Sequence, residues 1–381
     1  MKIYSKLPHT ETSIFSVMSA LAKEYGAINL AQGFPDFESS RELIDLVSQY
    51  MRKGFNQYAP MAGVPALRER IAKKIKIVHD VTIDPVDEIT VTAGATQAIF
   101  TIIAAFIQQN DEVILIEPAY DSYGPSIQAN GGKVVAYKMQ APDYQVDWAD
   151  LGNLITPRTR MIIINTPHNP TGRTFSAQDF EALDKLTQGT DIIVLSDEVY
   201  EHIVFDQQKV QSILQHPNLR ERSFATYSFG KTFHNTGWKI GYTVAPQQLM
   251  TEFRKIHQFN VFSVNTPVQY ALADFMENPE TYLSLAPFFQ KKRDFFLESM
   301  KNSRFKPLPC EGTYFHLYDF SGISDEQDTD FAIRITKEFG IATIPVSPFY
   351  TDKPKRSVVR FCLAKKEETL LRAADLLVKV V

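Results

Sequence analysis

Residues 224–244 read FATYSFGKTFHNTGWKIGYTV, and this stretch is the most informative about the fold. Two short apolar runs, 224–227 and 240–244, lie on either side of a polar segment that contains Lys231. Runs that are apolar on both faces are typical of strands in a sheet that helices cover on two sides. We therefore predict that Lys231 lies just beyond the end of a buried strand.

The same pattern recurs along the chain on both sides of this stretch. Further apolar runs predict strands at 89–92, 113–116, 133–137, 161–165 and 192–196. Helical patterns fill several of the gaps, among them 95–107 and 176–188, and a serine cap opens the second of these. Strands that alternate with helices predict an α/β fold with a mostly parallel central sheet.

After about residue 246 the pattern changes, and it predicts a second, smaller α+β domain. The expected elements are a broken helical stretch over 267–293, strands at 314–317, 342–344 and 358–361, and helices at 328–339 and 366–378. We expect a large domain over residues 41–280 and a small domain formed by 1–40 together with 281–381. The first 40 residues, which contain an extended segment at 29–33, should pack against the small domain or across an oligomer interface.

Charge and hydropathy exclude several classes of protein. The 381 residues include 40 basic and 44 acidic ones, so the formal net charge is −4, and no basic stripe is present. Nucleic acid and anionic membrane surfaces therefore have no electrostatic support as partners. The run 102–107, among the longest apolar ones, is far shorter than the ~20 residues of a membrane helix. With no signal peptide visible, we expect a soluble, cytoplasmic protein.

The two cysteines, Cys310 and Cys362, support neither a disulfide framework nor a zinc site by their spacing. We expect both to be reduced thiols inside a cytosolic protein. No metal site is predicted.

Lys231 is the first candidate for chemistry. Most lysines lie in solvent, but one at a strand end among glycine and aromatic residues is partly desolvated. Desolvation favours the neutral amine, the nucleophile that Schiff-base chemistry needs. A phosphate-binding P-loop is a rival interpretation of Gly230-Lys231-Thr232, but that motif needs a glycine where this chain has Ala225. No glycine-rich dinucleotide fingerprint follows a strand either.

Asp197 is the second candidate, because it ends a strand that should be buried on both faces. A buried carboxylate is costly unless it is paired, so it needs a cationic or hydrogen-bonding partner. Two roles stay open at this point. Asp197 either caps a following helix or pairs with a protonated heteroaromatic nitrogen.

Two turns complete the pattern. Asn169 lies in a Pro/Gly turn after the strand 161–165, at the carboxyl end where open α/β sheets bind ligands. Gly94, Ala95 and Thr96 lie where the strand 89–92 passes into a helix. The free N–H groups and the dipole at such a helix start favour an anion, and Thr96 adds a hydroxyl donor.

Taken together, these stretches resemble the class I aminotransferases of the fold-type I pyridoxal-phosphate enzymes. Bacterial methionine aminotransferases and the kynurenine/glutamine transaminase group are the most similar members. The resemblance runs from Phe15 through the segments 31–37 and 56–58 to 359–362, which is nearly the whole chain. Its specificity comes from the occurrence of all these motifs in the right order.

The resemblance implies pyridoxal 5'-phosphate as the cofactor and gives a role to each residue around it. Lys231 bonds covalently to the cofactor and, once displaced by substrate, moves a proton at the substrate α-carbon. Asp197 pairs with the ring nitrogen, and Tyr200 and Asn169 contact the phenolic oxygen; Lys231, Asp197 and Tyr200 are thus the catalytic residues. Tyr120 stacks on the ring. The phosphate ligands implied are Gly94, Ala95, Thr96, Ser228 and Lys239, with Tyr58 from a second subunit.

The resemblance also places the substrate. Arg360 would bind the α-carboxylate in a bidentate way, beside Asn169 and the backbone at Gly33. The substrate side chain would contact aromatic residues, namely Phe15, Phe34, Tyr120 and, from the partner subunit, Phe262. Because no second arginine for a dicarboxylate is evident, methionine, glutamine and aromatic amino acids are expected as donors more than aspartate.

Three positions depart from the wider family pattern. Lys239 stands where many relatives have arginine, so its contact with the phosphate is that of a point charge. Phe15 and Ser263 stand where the animal kynurenine enzymes have tryptophan and histidine. These two replacements argue against kynurenine as the main substrate.

The function implied is ping-pong transfer of an amino group from an apolar or aromatic amino acid to a 2-oxo acid. A homodimer with shared active sites is expected, because Tyr58 and Phe262 serve a site only across a subunit boundary. A cysteine-conjugate C–S β-lyase on the same scaffold is the alternative. A cofactor-binding module fused to a DNA-binding domain is a third interpretation, but no helix-turn-helix or basic arm supports it.

Overall fold

The computed structural model describes residues 1–8 and 10–381. The strands are β1 (Ile28–Asn29), β2 (Ile89–Thr92), β3 (Glu112–Glu117), β4 (Lys133–Lys138), β5 (Thr159–Asn165), β6 (Ile193–Asp197), β7 (Ser223–Ser228), β8 (Gly241–Val244), β9 (Lys306–Pro307), β10 (Phe315–Asp319), β11 (Ile341–Ala342), β12 (Ile344–Pro345) and β13 (Val358–Cys362). The helices are α1 (Ile14–Glu24), α2 (Arg41–Arg52), α3 (Pro65–His79), α4 (Ala95–Phe106), α5 (Tyr123–Ala129), α6 (Trp148–Gly152), α7 (Ala177–Thr187), α8 (Pro217–Arg220), α9 (Phe229–Thr232), α10 (Gln247–Asn260), α11 (Thr266–Phe275), α12 (Glu280–Leu283), α13 (Leu285–Ser299), α14 (Asp328–Phe339) and α15 (Glu367–Leu377). In the described part of the chain, no helix has both the length and the apolar character to cross a membrane.

Seven strands form the central sheet in the order β2-β8-β7-β6-β5-β3-β4. The five strands from β7 to β4 pair in parallel, whereas β8 is antiparallel to both of its neighbours. All seven were predicted from apolar runs, and the α/β class with a mostly parallel sheet is confirmed. The apolar runs were diagnostic because helices cover both faces of this sheet.

Alternate residues of one strand show how the sheet is buried. In β3, Ile114 belongs to a cluster that includes Ile71 of α3, on one face. Its neighbour Leu115 belongs to a different cluster, with Ile102 of α4 and Phe253 of α10, on the opposite face. Since each fully buried side chain of this kind contributes about 1.5–3 kcal/mol, burial on both faces dominates the stability of the sheet.

The strand directions determine which residues meet at one edge. The parallel strands β5, β6 and β7 end at Asn165, Asp197 and Ser228, so these residues lie together at the carboxyl edge. Because β8 runs in the opposite direction, it begins at this edge, and its pairing puts Gly241 opposite Ser228. The connection 229–240 therefore leaves and re-enters the sheet at the edge where α/β proteins bind ligands.

A second layer contains the four-stranded antiparallel sheet β12-β13-β10-β9 and the parallel pair β1-β11. In β1, Ile28 pairs with Ile341 of β11, so the N-terminal segment joins this layer. Phe331, Phe361 and Leu370 form a core there that is separate from the clusters on the large sheet. Strand β13 carries Arg360 towards the large sheet. The domain boundaries at 40/41 and 280/281 stay a prediction.

Three predicted elements differ in detail from the structure. The segment 342–344 is two short strands, because β11 pairs with β1 whereas β12 pairs with β13. The helical stretch 267–293 is three helices, α11 to α13. The extended segment 29–33 contributes only its first residue to β1.

Candidate active site

A cavity of about 340 Å³ opens at the carboxyl edge of the sheet, and most of the predicted site residues line it. Those on its wall are Phe15, Gly33, Gly94, Ala95, Thr96, Tyr120, Asn169, Asp197, Tyr200, Ser228, Lys231, Lys239 and Arg360. They come from the ends or adjoining loops of six strands of the central sheet, from the middle of β13 and from the N-terminal segment, so the site exists only in the folded chain.

Lys231 lies in the one-turn helix α9, directly after β7. Its Nζ is 3.4 Å from the carbonyl oxygen of Gly33 and 5.7 Å from the ring centroids of both Tyr200 and Tyr314. Burial is the main cause that lowers the pKa of Lys231 to about 8. A substantial fraction of the amine is therefore neutral and nucleophilic near neutral to mildly alkaline pH.

Asp197 ends β6 as a buried carboxylate. The hydroxyl of Tyr123 donates to its Oδ2 at 2.5 Å, and the backbone N–H of Val199 donates to its Oδ1 at 3.3 Å. Burial raises the pKa of Asp197 to about 6, although both hydrogen bonds and the charge of Lys231 oppose that shift. Within residues 1–8 and 10–381 no cation forms an ion pair with it, so it is free to pair with a cationic ligand.

The turn after β5 is tied to the end of β6 by Asn165. Its Nδ2 donates to the carbonyl of Asp197 at 2.8 Å, and its Oδ1 accepts from the backbone N–H of Asn169 at 2.7 Å. Asn169 and Asp197 are thus held in fixed relation to each other. Neither Asn165 nor Tyr123 was predicted as a site residue, although Asn165 ends a predicted strand and Tyr123 follows Tyr120 by three residues.

Arg360 is fully buried on β13 and faces the same cavity. Its Nη1 donates to Asn169 Oδ1 at 2.6 Å and its Nη2 to the carbonyl of Ala31 at 3.1 Å, while the guanidinium stacks 3.7 Å from the centroid of Phe315. Its Nε has no partner in the described part of the chain. Burial lowers its pKa to about 10. A buried guanidinium without an anionic partner favours the binding of a carboxylate.

An anion cradle forms where α4 begins. Gly94, the residue before the helix, has a φ of 86°, and no side chain caps the helix. A Cβ at Gly94 would lie 3.6 Å from Lys239 Nζ, so the ammonium group is close to the start of the helix. A Cβ on Gly241 would lie 2.4 Å from the carbonyl of Tyr227 and 3.2 Å from the N of Ala95, so only glycine fits there. Free helix N–H groups beside an ammonium form a site for a phosphate.

A buried polar network supports this edge from behind. Lys74 of α3 forms an ion pair with Glu201 and donates to the hydroxyl of Tyr242 at 2.8 Å. The Nε2 of His79 lies 3.1 Å from the other oxygen of Glu201. Glu201 follows Tyr200 directly, so the network anchors the segment that carries a predicted catalytic residue.

Three predicted residues do not line the cavity. Phe34, Tyr58 and Phe262 have exposed fractions of 47%, 82% and 48%. The rings of Tyr58 and Phe262 contact each other, with centroids 5.4 Å apart. Other cavity residues were not predicted, namely Ser13, Gln32, Ile99, Asp121, Tyr123, Asn165, Val199, Gly230, Thr236, Ile240 and Phe315.

Comparison with known proteins identifies the family. Residues 25–377 match the model of the family "Aminotransferase class I and II". The methionine aminotransferase of Escherichia coli K12 is 50% identical over 372 residues, which cover 97% of this chain and 96% of that protein. The mouse kynurenine–oxoglutarate transaminase 1 is 35% identical, covering 92% of this chain and 91% of that one. A crystal structure of an Escherichia coli protein with methionine aminotransferase function superimposes with a TM-score of 0.97 at 49% identity, covering 99% of both chains.

The fold and the gathered site thus define a pyridoxal-phosphate-dependent enzyme. More particularly, the chain belongs to the class I and II aminotransferase family. The residues present fit the cofactor. The buried Asp197 without a cation suits a protonated ring nitrogen, and the uncapped start of α4 beside Lys239 suits a phosphate. Lys231, with its lowered pKa, suits a covalent bond to an aldehyde.

Proposed function

We propose that this aminotransferase takes an apolar or aromatic amino acid, with methionine and glutamine as the favoured donors, and passes its amino group to a 2-oxo acid in two half-reactions. The observation that carries the proposal is Arg360, a buried cation without an anion, facing the cavity of Lys231 among aromatic rings. Phe15, Tyr120 and Phe315 give that end of the cavity an apolar character. Thioether–aromatic contacts favour methionine by roughly 0.3–1.5 kcal/mol each.

The cofactor is expected to be held by residues at both ends of the cavity. Pyridoxal phosphate, when bound, supplies an aldehyde that bonds to amines and a ring that withdraws electrons from the substrate α-carbon. The carboxylate of Asp197 would keep the ring nitrogen protonated. The N–H groups of Ala95 and Thr96, with Ser228 and Lys239, would hold the phosphate.

Lys231 is proposed as the group that moves the proton. Its amine, displaced from the cofactor by the substrate amine, would accept a proton from the substrate α-carbon. It would then donate this proton to the cofactor carbon that carried the aldehyde. A pKa near pH 8 suits an amine that must both accept and release a proton. The hydroxyl of Tyr200 and the amide of Asn169 would hydrogen-bond to the phenolic oxygen of the ring.

Arg360 is proposed to orient the substrate. The planar guanidinium, with an unpaired Nε, can bind the α-carboxylate, while stacking on the Phe315 ring fixes the orientation of the guanidinium. A fixed carboxylate would hold the α-carbon next to the amine of Lys231. Because the two reacting groups are already positioned, the entropic part of the activation barrier is lowered.

We also propose a homodimer in which each subunit completes the site of the other. Tyr58 and Phe262 form an exposed aromatic pair outside the cavity of their own chain. Two exposed aromatic rings in contact with each other suit burial against a protein partner. Tyr58 would then reach the phosphate, and Phe262 the substrate side chain, of the second subunit. Phe34, also exposed, would close over the substrate.

Two further proposals concern organisation. Residues 41–280 would form the large domain, and 1–40 with 281–381 the small one, which the pairing of β1 with β11 supports. The enzyme would work in the cytoplasm, where its free Cys310 and Cys362 stay reduced.

The test is a panel of amino donors against several 2-oxo acids, with wild type and Lys231→Ala loaded with pyridoxal phosphate. We expect methionine and glutamine among the best donors, and a loss of at least about 10⁴-fold in kcat for Lys231→Ala. Wild-type turnover by Lys231→Ala would contradict the mechanism. Release of pyruvate and ammonia from a cysteine conjugate, without any oxo acid and faster than transfer, would favour the C–S β-lyase instead.

A further inference from the structure

Most charged side chains on the cavity wall have a counterpart in the proposed ligands. Asp197 faces the ring nitrogen, Lys239 the phosphate and Arg360 the α-carboxylate, while Lys231 bonds to the cofactor. These assignments rest on the function proposed above. Asp121 is the fifth charged side chain on this wall in the described part of the chain. It has no counterpart in the cofactor or in the atoms that all amino acids share.

Asp121 follows Tyr120 in the loop between β3 and α5, and its side chain is partly buried. Burial raises the pKa of its carboxyl. The influences that lower it are the charge of Arg360 and the backbone N–H of Asp121 itself. Among residues 1–8 and 10–381, no side chain donates a hydrogen bond to this carboxylate. It is therefore available to a molecule that enters the cavity.

The surroundings place this carboxylate at the substrate end of the cavity. Asp121 directly follows Tyr120, and both line the cavity together with Phe15 and Arg360. The ring of Phe15 lies 6.4 Å from that of Tyr120, and the guanidinium of Arg360 lies 5.2 Å from the ring of Phe15. Asp121 thus adjoins the group of residues that would contact the α-carboxylate and the substrate side chain.

We propose that Asp121 is a specificity-determining residue that excludes amino acids and oxo acids with an anionic side chain. A second carboxylate next to Asp121, in a cavity that excludes part of the water, is repelled. A neutral side chain escapes this repulsion, and the N–H of an amide side chain can donate to Asp121. The aromatic rings attract neutral side chains and the aspartate rejects acidic ones, so specificity has both an attractive and a repulsive element.

The test compares glutamine with glutamate, which have nearly the same shape and differ in side-chain charge. We would measure kcat/KM for both donors in cofactor-loaded wild type, Asp121→Asn and Asp143→Asn. The glutamate-to-glutamine ratio should rise by about tenfold or more in Asp121→Asn. It should keep its wild-type value in Asp143→Asn, which removes the same charge from an exposed turn outside the cavity. An unchanged ratio in Asp121→Asn would overturn the proposal.

A second measurement needs no variant, so it holds even if Asp121→Asn does not fold. Glutarate and its monoamide offer the same carboxylate to Arg360 and differ in charge at the other end. As inhibitors of the wild-type enzyme, the monoamide should bind about tenfold more tightly than glutarate. Equal inhibition constants would also overturn the proposal. Absence of turnover with every neutral donor would contradict the proposed function instead, so the two failures are distinguishable.

Discussion

At the scale of single residues, the site contains charges that folding alone does not favour. Asp197 and Arg360 are both buried. Burial raises the pKa of Asp197 and lowers that of Arg360, so in both cases it favours the neutral form of the side chain. Such groups destabilise the protein without ligands and become favourable only when an opposite charge binds. This is the usual exchange of stability for function at an active site.

The variant Asp197→Asn should therefore stabilise the cofactor-free protein while abolishing transfer. The pKa of Asp197 is raised from 3.8 to about 6, so the folded state resists ionisation of this group. Ionisation of Asp197 therefore lowers the free energy of unfolding. This loss is absent well below pH 3.8, grows as the pH rises from there to about 6, and is complete above that value. We expect a gain of about 1–3 kcal/mol at pH 8, and a smaller gain at pH 5.

Calorimetric melting of the cofactor-free proteins at the two pH values checks this prediction. The exposed Asp143→Asn serves as the control and should melt like wild type at both. A melting temperature of Asp197→Asn below that of wild type at pH 8 would show that the carboxylate is stabilising, contrary to the argument above.

Sequence patterns found the chemically distinctive residues and missed those that only support them. Lys231, Asp197 and Arg360 stand out because charged residues next to apolar strands need an explanation. Asn165 and Tyr123 are equally well placed, but polar residues at a strand end or in a loop are common. Only the folded chain indicates that Asn165 bridges Asp197 and Asn169.

At the scale of elements, strands of the central sheet were easier to predict than several helices. The strands are continuous apolar runs, whereas α1, α2, α3 and α10 were not predicted. Helix α3 illustrates why, because Lys74 lies on its buried face and interrupts the apolar period. A lysine at that position makes sense only once Glu201, 127 residues away, lies beside it.

The Lys74–Glu201 pair should show strong energetic coupling. Removing one partner leaves an uncompensated buried charge, which costs about 3–5 kcal/mol. We expect Lys74→Met and Glu201→Gln each to lower the melting temperature markedly, and the double variant to lower it by much less than the sum. The coupling arises because the second change removes the charge that the first left unpaired.

A pair at the C-terminal end of the same helix provides the control for that double-mutant cycle. Lys76 of α3 and Asp80, the residue that follows this helix, form an ion pair in which both side chains are largely exposed. Lys76→Met and Asp80→Asn should show no measurable coupling. Purely additive melting shifts for Lys74 and Glu201 would refute the inference that the network anchors the end of β6 through charge pairing.

At the scale of the whole molecule, the sequence predicted both layers of structure but could not place residues that act across a subunit boundary. Tyr58 and Phe262 were assigned by resemblance to the site of a second subunit. A single chain leaves both on the surface, where no local pattern distinguishes them from other exposed aromatic residues. Their roles depend on the dimer, which stays a proposal.

Mixed dimers test the sharing of sites directly. Lys231→Ala alone should be inactive, and Tyr58→Ala should bind the cofactor weakly. In a mixed dimer, the chain with intact Lys231 receives Tyr58 from its Lys231→Ala partner, so one site is complete. Random pairing of equal amounts should then restore roughly a quarter of the wild-type activity. Sedimentation should give twice the chain mass of 43.3 kDa.

The design has a clear negative outcome. If Tyr58 acted within its own chain, no combination of the two variants would contain a complete site, and mixing would restore nothing. A control mixture of Lys231→Ala with Asp197→Asn should restore no activity. Both residues act in the site of their own chain, so each site of the mixed dimer contains one of the two lesions.

The reversed strand β8 has a consequence for how this fold tolerates change. The loop 229–240 begins and ends at the same cavity, with Lys231 near its start and Lys239 near its end. Had β8 run the other way, its four residues would have carried Lys239 roughly 13 Å off, to the far rim of the sheet. Lengthening or shortening this loop would therefore disturb two ligand contacts at once, and we expect natural variation in its length to be rare.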